Sequence, residues 1–334
     1  MTLGRQNYAY VDQNMAVDPF FRLANEANRG VYVPLESMPA NGAGDWLRGR
    51  ISQKLGRVLE LVSDGKVNQF ALVTDATYQY FRDGEITVSY TRNDIRDNTS
   101  FNGDVANTST LVLPTKDDPR NLNNITYSDN QFRSKVVFFG TMPSFYGVTV
   151  GLRYSGIGGT RYTLLSGANS NADFVAGTYD LAFIFDRNSE SVPQNVRAGL
   201  QAILDNPDAN PSIKDYITKH NGQVAERNGS INGFFGVFDI RASKRVRLFR
   251  TYSLELSVDL FNVANFLKRA GGANKSLSTQ ALYALGAPAT GTTAALPNFD
   301  RTAQRFNYRV NTAGVVNPLG DPHQFQIGLR YSFR

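Results

Sequence analysis

The chain has 334 residues, 41% apolar and 19% charged, with 22 Phe and 16 Tyr against one Trp, a composition that disfavours disorder and suits β structure. With no cysteine there is no disulfide framework, thiolate metal site or cysteine nucleophile, and the two histidines, His220 and His323, stand too far apart for a local metal motif. The 35 basic and 29 acidic residues are scattered, so the net charge of +6 marks no tail for nucleic acid.

No apolar run approaches the ~18 residues of a membrane helix, continuous stretches being as short as residues 136–139. The first seven residues lack a basic segment followed by an apolar one, which implies either a cytosolic chain or a true beginning further upstream. Along the chain, residues 1–56 read as an extracellular loop and lead-in segment, and 57–334 as strands and loops. Short alternating segments are expected at 57–62, 160–165, 181–185 and 305–310, and longer ones at 70–81, 85–91, 132–138, 148–155, 234–248, 252–260 and 325–333. In 148–155, for example, Val148, Val150, Leu152 and Tyr154 share one face while Thr149, Gly151, Arg153 and Ser155 share the other. Some connections are tight: Asp83-Gly84, the turn 143–147 and the link 249–251, with Asp64-Gly65 predicted as a further hairpin. Others are long polar excursions, 95–130, 166–233 and 262–305, the middle one with helical periodicity at 192–204 and 213–219.

Alternating strands arise in a sandwich with packed apolar faces or in a barrel whose apolar face meets lipid and whose polar face lines a lumen. Tyr78, Tyr80, Tyr90, Tyr154, Tyr252, Tyr331 and Phe333 stand at expected strand ends, as aromatic girdles require. Strands of nine or so residues also suit a tilted membrane strand, which needs ~9 to 11, while long and short connections alternate as at the two rims of a barrel. The expected fold is therefore all-β, a transmembrane antiparallel β-barrel; a large soluble sandwich or lectin is the alternative.

The last strand carries Gln326, Gly328, Tyr331 and Phe333, a polar residue, a glycine and two aromatics in the order of the β-signal by which the barrel-assembly machinery of Gram-negative outer membranes recognises its substrates; Arg334 departs from it by following the aromatic. An amphipathic terminal strand could pair by strand addition to an open sheet edge. Arg57-Val58-Leu59, Ser63-Asp64-Gly65, Val88-Ser89-Tyr90-Thr91-Arg92-Asn93, Tyr154-Ser155-Gly156 and Gly159-Thr160-Arg161-Tyr162-Thr163 come in the order of successive strand and loop landmarks. Tyr179-Asp180-Leu181-Ala182-Phe183-Ile184-Phe185, Ala225-Glu226-Arg227-Asn228, Phe238-Asp239-Ile240-Arg241 and Asp259-Leu260-Phe261-Asn262-Val263-Ala264-Asn265 continue that order. Together with the terminal strand they resemble the C-terminal part of TonB-dependent outer-membrane receptors, in particular the Oar-like branch, from about Gly56 to the end.

The resemblance implies the C-terminal half of a larger barrel in a Gram-negative outer membrane, the plug, TonB-binding motif and signal peptide lying outside this sequence. Its implied partners are outer-membrane lipid, the barrel-assembly machinery, TonB through the N-terminal region, and a small ligand such as a siderophore, oligosaccharide or peptide. A self-contained ten-strand barrel acting as a passive porin, and an adhesion barrel, are the alternatives.

No enzymatic set is assigned. Asp239, Glu255 and Asp259 alternate with Ser and Arg and read as solvated lumen charges. Arg133, Lys135, Arg153, Arg241 and Arg245 read first as partners of internal salt bridges and second as a basic lumen for anionic solutes. His220, and His323 beside Asp321 and Pro322, read as polar surface. The segment 167–173 offers only Asp173 as a carboxylate, which argues against calcium, and Gly156-Ile157-Gly158-Gly159 opens no helix and so does not cradle phosphate. Neither a cofactor nor a metal is expected.

Overall fold

A computed structural model describes residues 2–81, 83–100, 114–116, 118, 120–173, 180–249, 252–268, 271–278, 280–287, 295–316 and 322–333, with the main chain alone for 2–7 and 249. Of the residues singled out above, Tyr179, Thr251, Asp321 and Arg334 lie outside this set.

Eight long strands form one antiparallel sheet in chain order: β1 (Thr2–Asp12), β2 (Leu59–Tyr80), β3 (Gly84–Asp97), β4 (Ser134–Thr141), β5 (Val148–Gly158), β6 (Phe234–Phe249), β7 (Tyr252–Phe261) and β8 (Gln324–Phe333). A two-residue strand, Thr126–Tyr127, adds to β3 beyond the end of β4. The sheet is open, with β1 and β8 at its edges.

Alternation decides what each face carries, because neighbouring strands are paired so that like meets like. One row across the sheet runs Tyr78, Ile86, Gly140, Leu152, Ile240, Leu260, Phe325, without a polar side chain before the tyrosine hydroxyl. The adjacent row on the other face runs Gln79, Glu85, Thr141, Gly151, Arg241, Asp259, Gln326, without an apolar side chain. The rows climb across the strands. Tyr78 stands two residues from the end of β2 whereas Phe325 stands eight from Phe333 at the same rim, the stagger of a sheet with tilted strands.

The apolar face is not a packing surface among the described residues. Leu256 is 49% exposed and Leu329 70%, with Phe325, Ile327, Tyr331 and Phe333 exposed beside them on β8. At one rim alternate pairs of strands are joined by a few residues, 81–83 and 142–147 among them. At the other rim the connections span 13–58, 98–133, 159–233 and 262–323. In the 142–147 turn, Tyr146 and Gly147 both take positive φ, 50° and 75°, which lets a two-residue turn follow the right-handed twist of β4 and β5; Phe145 and Val148 exchange both backbone hydrogen bonds.

The long excursions are where the protein is buried. Leu23, Val31, Val33 and Met38 of the first meet Tyr162, Leu164, Leu181, Ile184, Leu200, Ile213 and Tyr216 of the third and Leu282, Tyr283, Phe299, Phe306 and Tyr308 of the fourth in a single core. Helix α1 (Gln194–Asp205) contributes Val196, Leu200 and Ile203, one face of a 3.6-residue period. Helix α2 (Pro211–Lys219) begins with Asn210 accepting from the Ser212 amide and Pro211 at the first turn, and it buries Ile213, Tyr216 and Ile217. A five-residue helix, α3 (Val263–Leu267), follows β7.

Four sequence expectations are revised. Asp64-Gly65 closes no hairpin: both lie inside the 22-residue β2, whose first half pairs with β1 and whose second half pairs with β3. Residues 2–12, read as part of the lead-in, are the edge strand that makes this possible. The segments 160–165, 181–185 and 305–310 form two- and three-residue strands in the loop body and not in the main sheet. Tyr90 and Tyr154 stand inside β3 and β5, because backbone partners carry those strands past the last apolar residue.

Candidate functional site

Two regions carry the chemistry, the polar face of the sheet and the loop body at its long-connection rim. On the polar face a hollow of about 310 Å³ is lined by Glu85, Thr141, Arg153, Asp239, Arg241 and Asp259 among others. Several charges on this face are engaged. Arg241 meets Asp259 at 3.5 Å, Arg245 meets Glu255 at 2.8 Å, and Asp239 accepts the backbone N–H of Asn262 at 2.9 Å. Arg241 and Arg245 are more than half exposed, so each pair stabilises by no more than ~1 kcal/mol. Their weight lies in presenting alternating charge to whatever fills the hollow. Arg153 stands opposite Asp239 in the register, and Lys135 opposite Thr91. Arg133 precedes β4, its amide donating to the Gly158 carbonyl.

The loop body is held to the sheet by buried ions. Arg227 reaches from the third excursion to the end of β3. There it bonds the Asp97 carboxylate at 2.6 Å and the Asp97 carbonyl at 2.8 Å, touches the Ser100 hydroxyl, and stands 3.4 Å from Asp129. Beside it Asn228, with φ 56°, donates its side-chain amide to the Tyr127 carbonyl at 2.9 Å. Arg50 pairs with Asp12 at the end of β1, tying the first excursion to the sheet. Deeper, Arg29 lies 3.2 Å from Glu26 and donates to the Leu181 carbonyl at 2.6 Å, while Asp180 accepts from the Asn171 amide at 3.0 Å. Burial pushes the Glu26 carboxyl above its ordinary range, against the pull of Arg29; burial likewise raises Asp180, opposed by Arg29 and the Asn171 amide.

The remaining candidates are structural in their contacts. His220 stacks on Tyr216 with ring centroids 3.9 Å apart, and His323 has Nδ1 3.2 Å from the Asn265 side-chain oxygen. Asp173 accepts from the Asn171 side-chain amide at 2.9 Å in a self-bonded loop. Among the described residues no group of three His, Cys, Asp or Glu side chains is placed to hold a metal ion. Gly156 and Gly158 are strand residues of β5 covered by the ring of Phe234.

The terminal-strand residues divide between the faces. Tyr331 and Phe333 are exposed on the apolar face, Tyr331 stacked on Tyr252 at 6.0 Å. Gln326 and Gly328 stand on the polar face opposite Asp259 and Ser257, and a Cβ on Gly328 would fall 2.6 Å from the Ser257 hydroxyl. Sequence reasoning missed the ionic anchors at Arg29, Arg50 and Arg227. Arg50 and Arg227 pair with residues their own sequence neighbourhood does not announce, Arg227 and Asp97 lying 130 positions apart, and Arg29, three residues from Glu26, reaches the distant Leu181 carbonyl.

No protein-family model matches the sequence, and no characterised protein does.

Proposed function

We propose that the chain forms barrel wall and external loops of an energised outer-membrane receptor, resembling the C-terminal part of TonB-dependent receptors, that brings a scarce solute across the outer membrane. The single observation that carries this reading is the exposed apolar face on a consecutive meander whose long connections all leave one rim. Water would penalise that much exposed Leu, Ile, Val and Phe, whereas acyl chains accept it. The polar face would then look into a lumen, and the packed excursions would offer a preformed surface for capturing solute. The barrel would close when β1 and β8 find further strand partners, since an open edge cannot be left in lipid.

Membrane fractionation of cells producing the whole reading frame tests this: recovery in the outer membrane, with heat-modifiable migration on gels, is expected, and recovery in the soluble fraction would end the proposal. Replacing Tyr331→Ser and Phe333→Ser together should reduce outer-membrane insertion severely, because it strips the aromatics from the apolar end of β8; unchanged insertion would remove the assembly role given to this strand. The packed loop body would serve an adhesion barrel equally well. Solute accumulation that collapses when the membrane is de-energised distinguishes import from adhesion.

A further inference from the structure

The apolar face of β3 changes character partway along. Ile86, Val88 and Tyr90 are followed on the same face by Arg92, Asp94 and Arg96. The change begins at Arg92, opposite Leu72, and is followed on β2 by the end of its mostly apolar stretch, which runs from Tyr80 to Phe70, the residue opposite Asp94. Such a stretch matches the ~9 to 11 residues of a tilted membrane strand. Just past this limit, Arg96 stands opposite Tyr127, donates to its hydroxyl at 3.0 Å and lies 4.5 Å from its ring centroid. The guanidinium of Arg161 lies 3.5 Å from the same ring centroid. Two carboxylates act on the cluster, Asp94, which accepts from Arg96 Nε at 3.1 Å, and Glu226. With Arg92, three guanidiniums set against these two carboxylates leave the patch positive.

We propose that Arg96 and Arg161, stacked about Tyr127, bind the phosphate of an anionic lipid headgroup in the leaflet on the long-connection side, with Arg92, two steps further down the same face, adding positive charge. This rests on the membrane-wall reading and adds to it the plane at which the leaflet ends. Stacking on the ring and the Nε bond to Asp94 hold the Arg96 guanidinium in position, and its Nη1 edge keeps N–H donors for phosphate oxygens. Arg96 remains 49% exposed despite its contacts, leaving room for an incoming group. A headgroup phosphate, unlike a free anion, is delivered to this height by the acyl chains seated on the apolar rows below.

The test reconstitutes the full chain into nanodiscs of phosphatidylcholine alone or mixed with phosphatidylglycerol, then counts retained lipids by native mass spectrometry after detergent extraction. The parent chain should keep phosphatidylglycerol in preference to phosphatidylcholine. Arg96→Gln alone, at a half-exposed position that tolerates change, should lower that retention about tenfold, the effect of one charge-assisted contact. Arg96→Gln with Arg161→Gln should abolish it, and Arg96→Lys should keep part of it by retaining charge without the fork. Equal retention by parent and Arg96→Gln, or no headgroup preference in the parent, overturns the proposal while leaving the membrane reading intact. Failure of the parent chain to enter the discs overturns both.

Discussion

A Cβ on Gly236 would fall 2.3 Å from the hydroxyl of Tyr154, and one on Gly156 would fall 2.3 Å from the Phe234 ring. Each ring lies across a glycine of the neighbouring strand, filling with aromatic surface the space a side chain would take. Gly236→Ala should therefore cost about 1–3 kcal/mol, the usual penalty of overpacking, read as an earlier midpoint in unfolding from detergent. Glu26 is a residue of the opposite kind, a carboxyl that pays for burial. Its folded pKa is raised above the ordinary 4.5 by desolvation, with Arg29 opposing, so the folded state binds its proton more tightly than the unfolded one. The loop body should be most stable below pH 4.5 with respect to this group and should lose that stability as pH rises from 4.5 through the folded pKa. Amide exchange at Leu181 to Ile184 followed against pH should show that decline, and Glu26→Gln should flatten it.

At the scale of elements, the connection of the third excursion to β3 depends on one arginine. Truncating Arg227→Ala leaves Asp97 buried without its partner, a loss of ~3–5 kcal/mol for a broken buried pair. Proteolysis within 160–233 should speed up while the sheet strands stay protected; equal cleavage rates in parent and variant would mean the hydrophobic core alone holds the excursion. Lys244 shows how an element tolerates a charge on its apolar face. It stands between Val148 and Leu256, and its Cε comes within 4.0 Å of where a Cβ on Gly147 would sit. The side chain thus reaches toward the short-turn rim, as a snorkelling lysine does. Lys244→Glu should weaken membrane insertion more than Lys244→Gln, measured by the heat-modifiable fraction.

For the molecule as a whole, the open edges are the main unsolved demand of its physics. β1 and β8 each have one strand neighbour in the sheet, while β5 and β6 have two. Hydrogen exchange on the isolated chain in detergent should accordingly show β8 exchanging much faster than β5 and β6. Protection of β8 equal to theirs would show that its free edge has found a partner, in a second copy or by closure of the sheet on itself.

The alternation of apolar and polar side chains by itself determined six of the long strands, β3 to β8, and their tight and long connections, because a period of two is written in consecutive residues and needs no partner to be legible. It also marked both amphipathic helices, through Val196, Leu200 and Ile203 and through Ile213, Tyr216 and Ile217. Tertiary structure alone decided that Asp64 and Gly65 continue a strand, since Gly65 follows a backbone partner at Asn7, far away in sequence. It alone brought Asp180 to the Glu26–Arg29 pair, and Arg161 onto Tyr127. Such contacts depend on how distant loops fold back on one another, and a charged or aromatic residue in a loop looks the same locally whether its partner waits across the core or is only water.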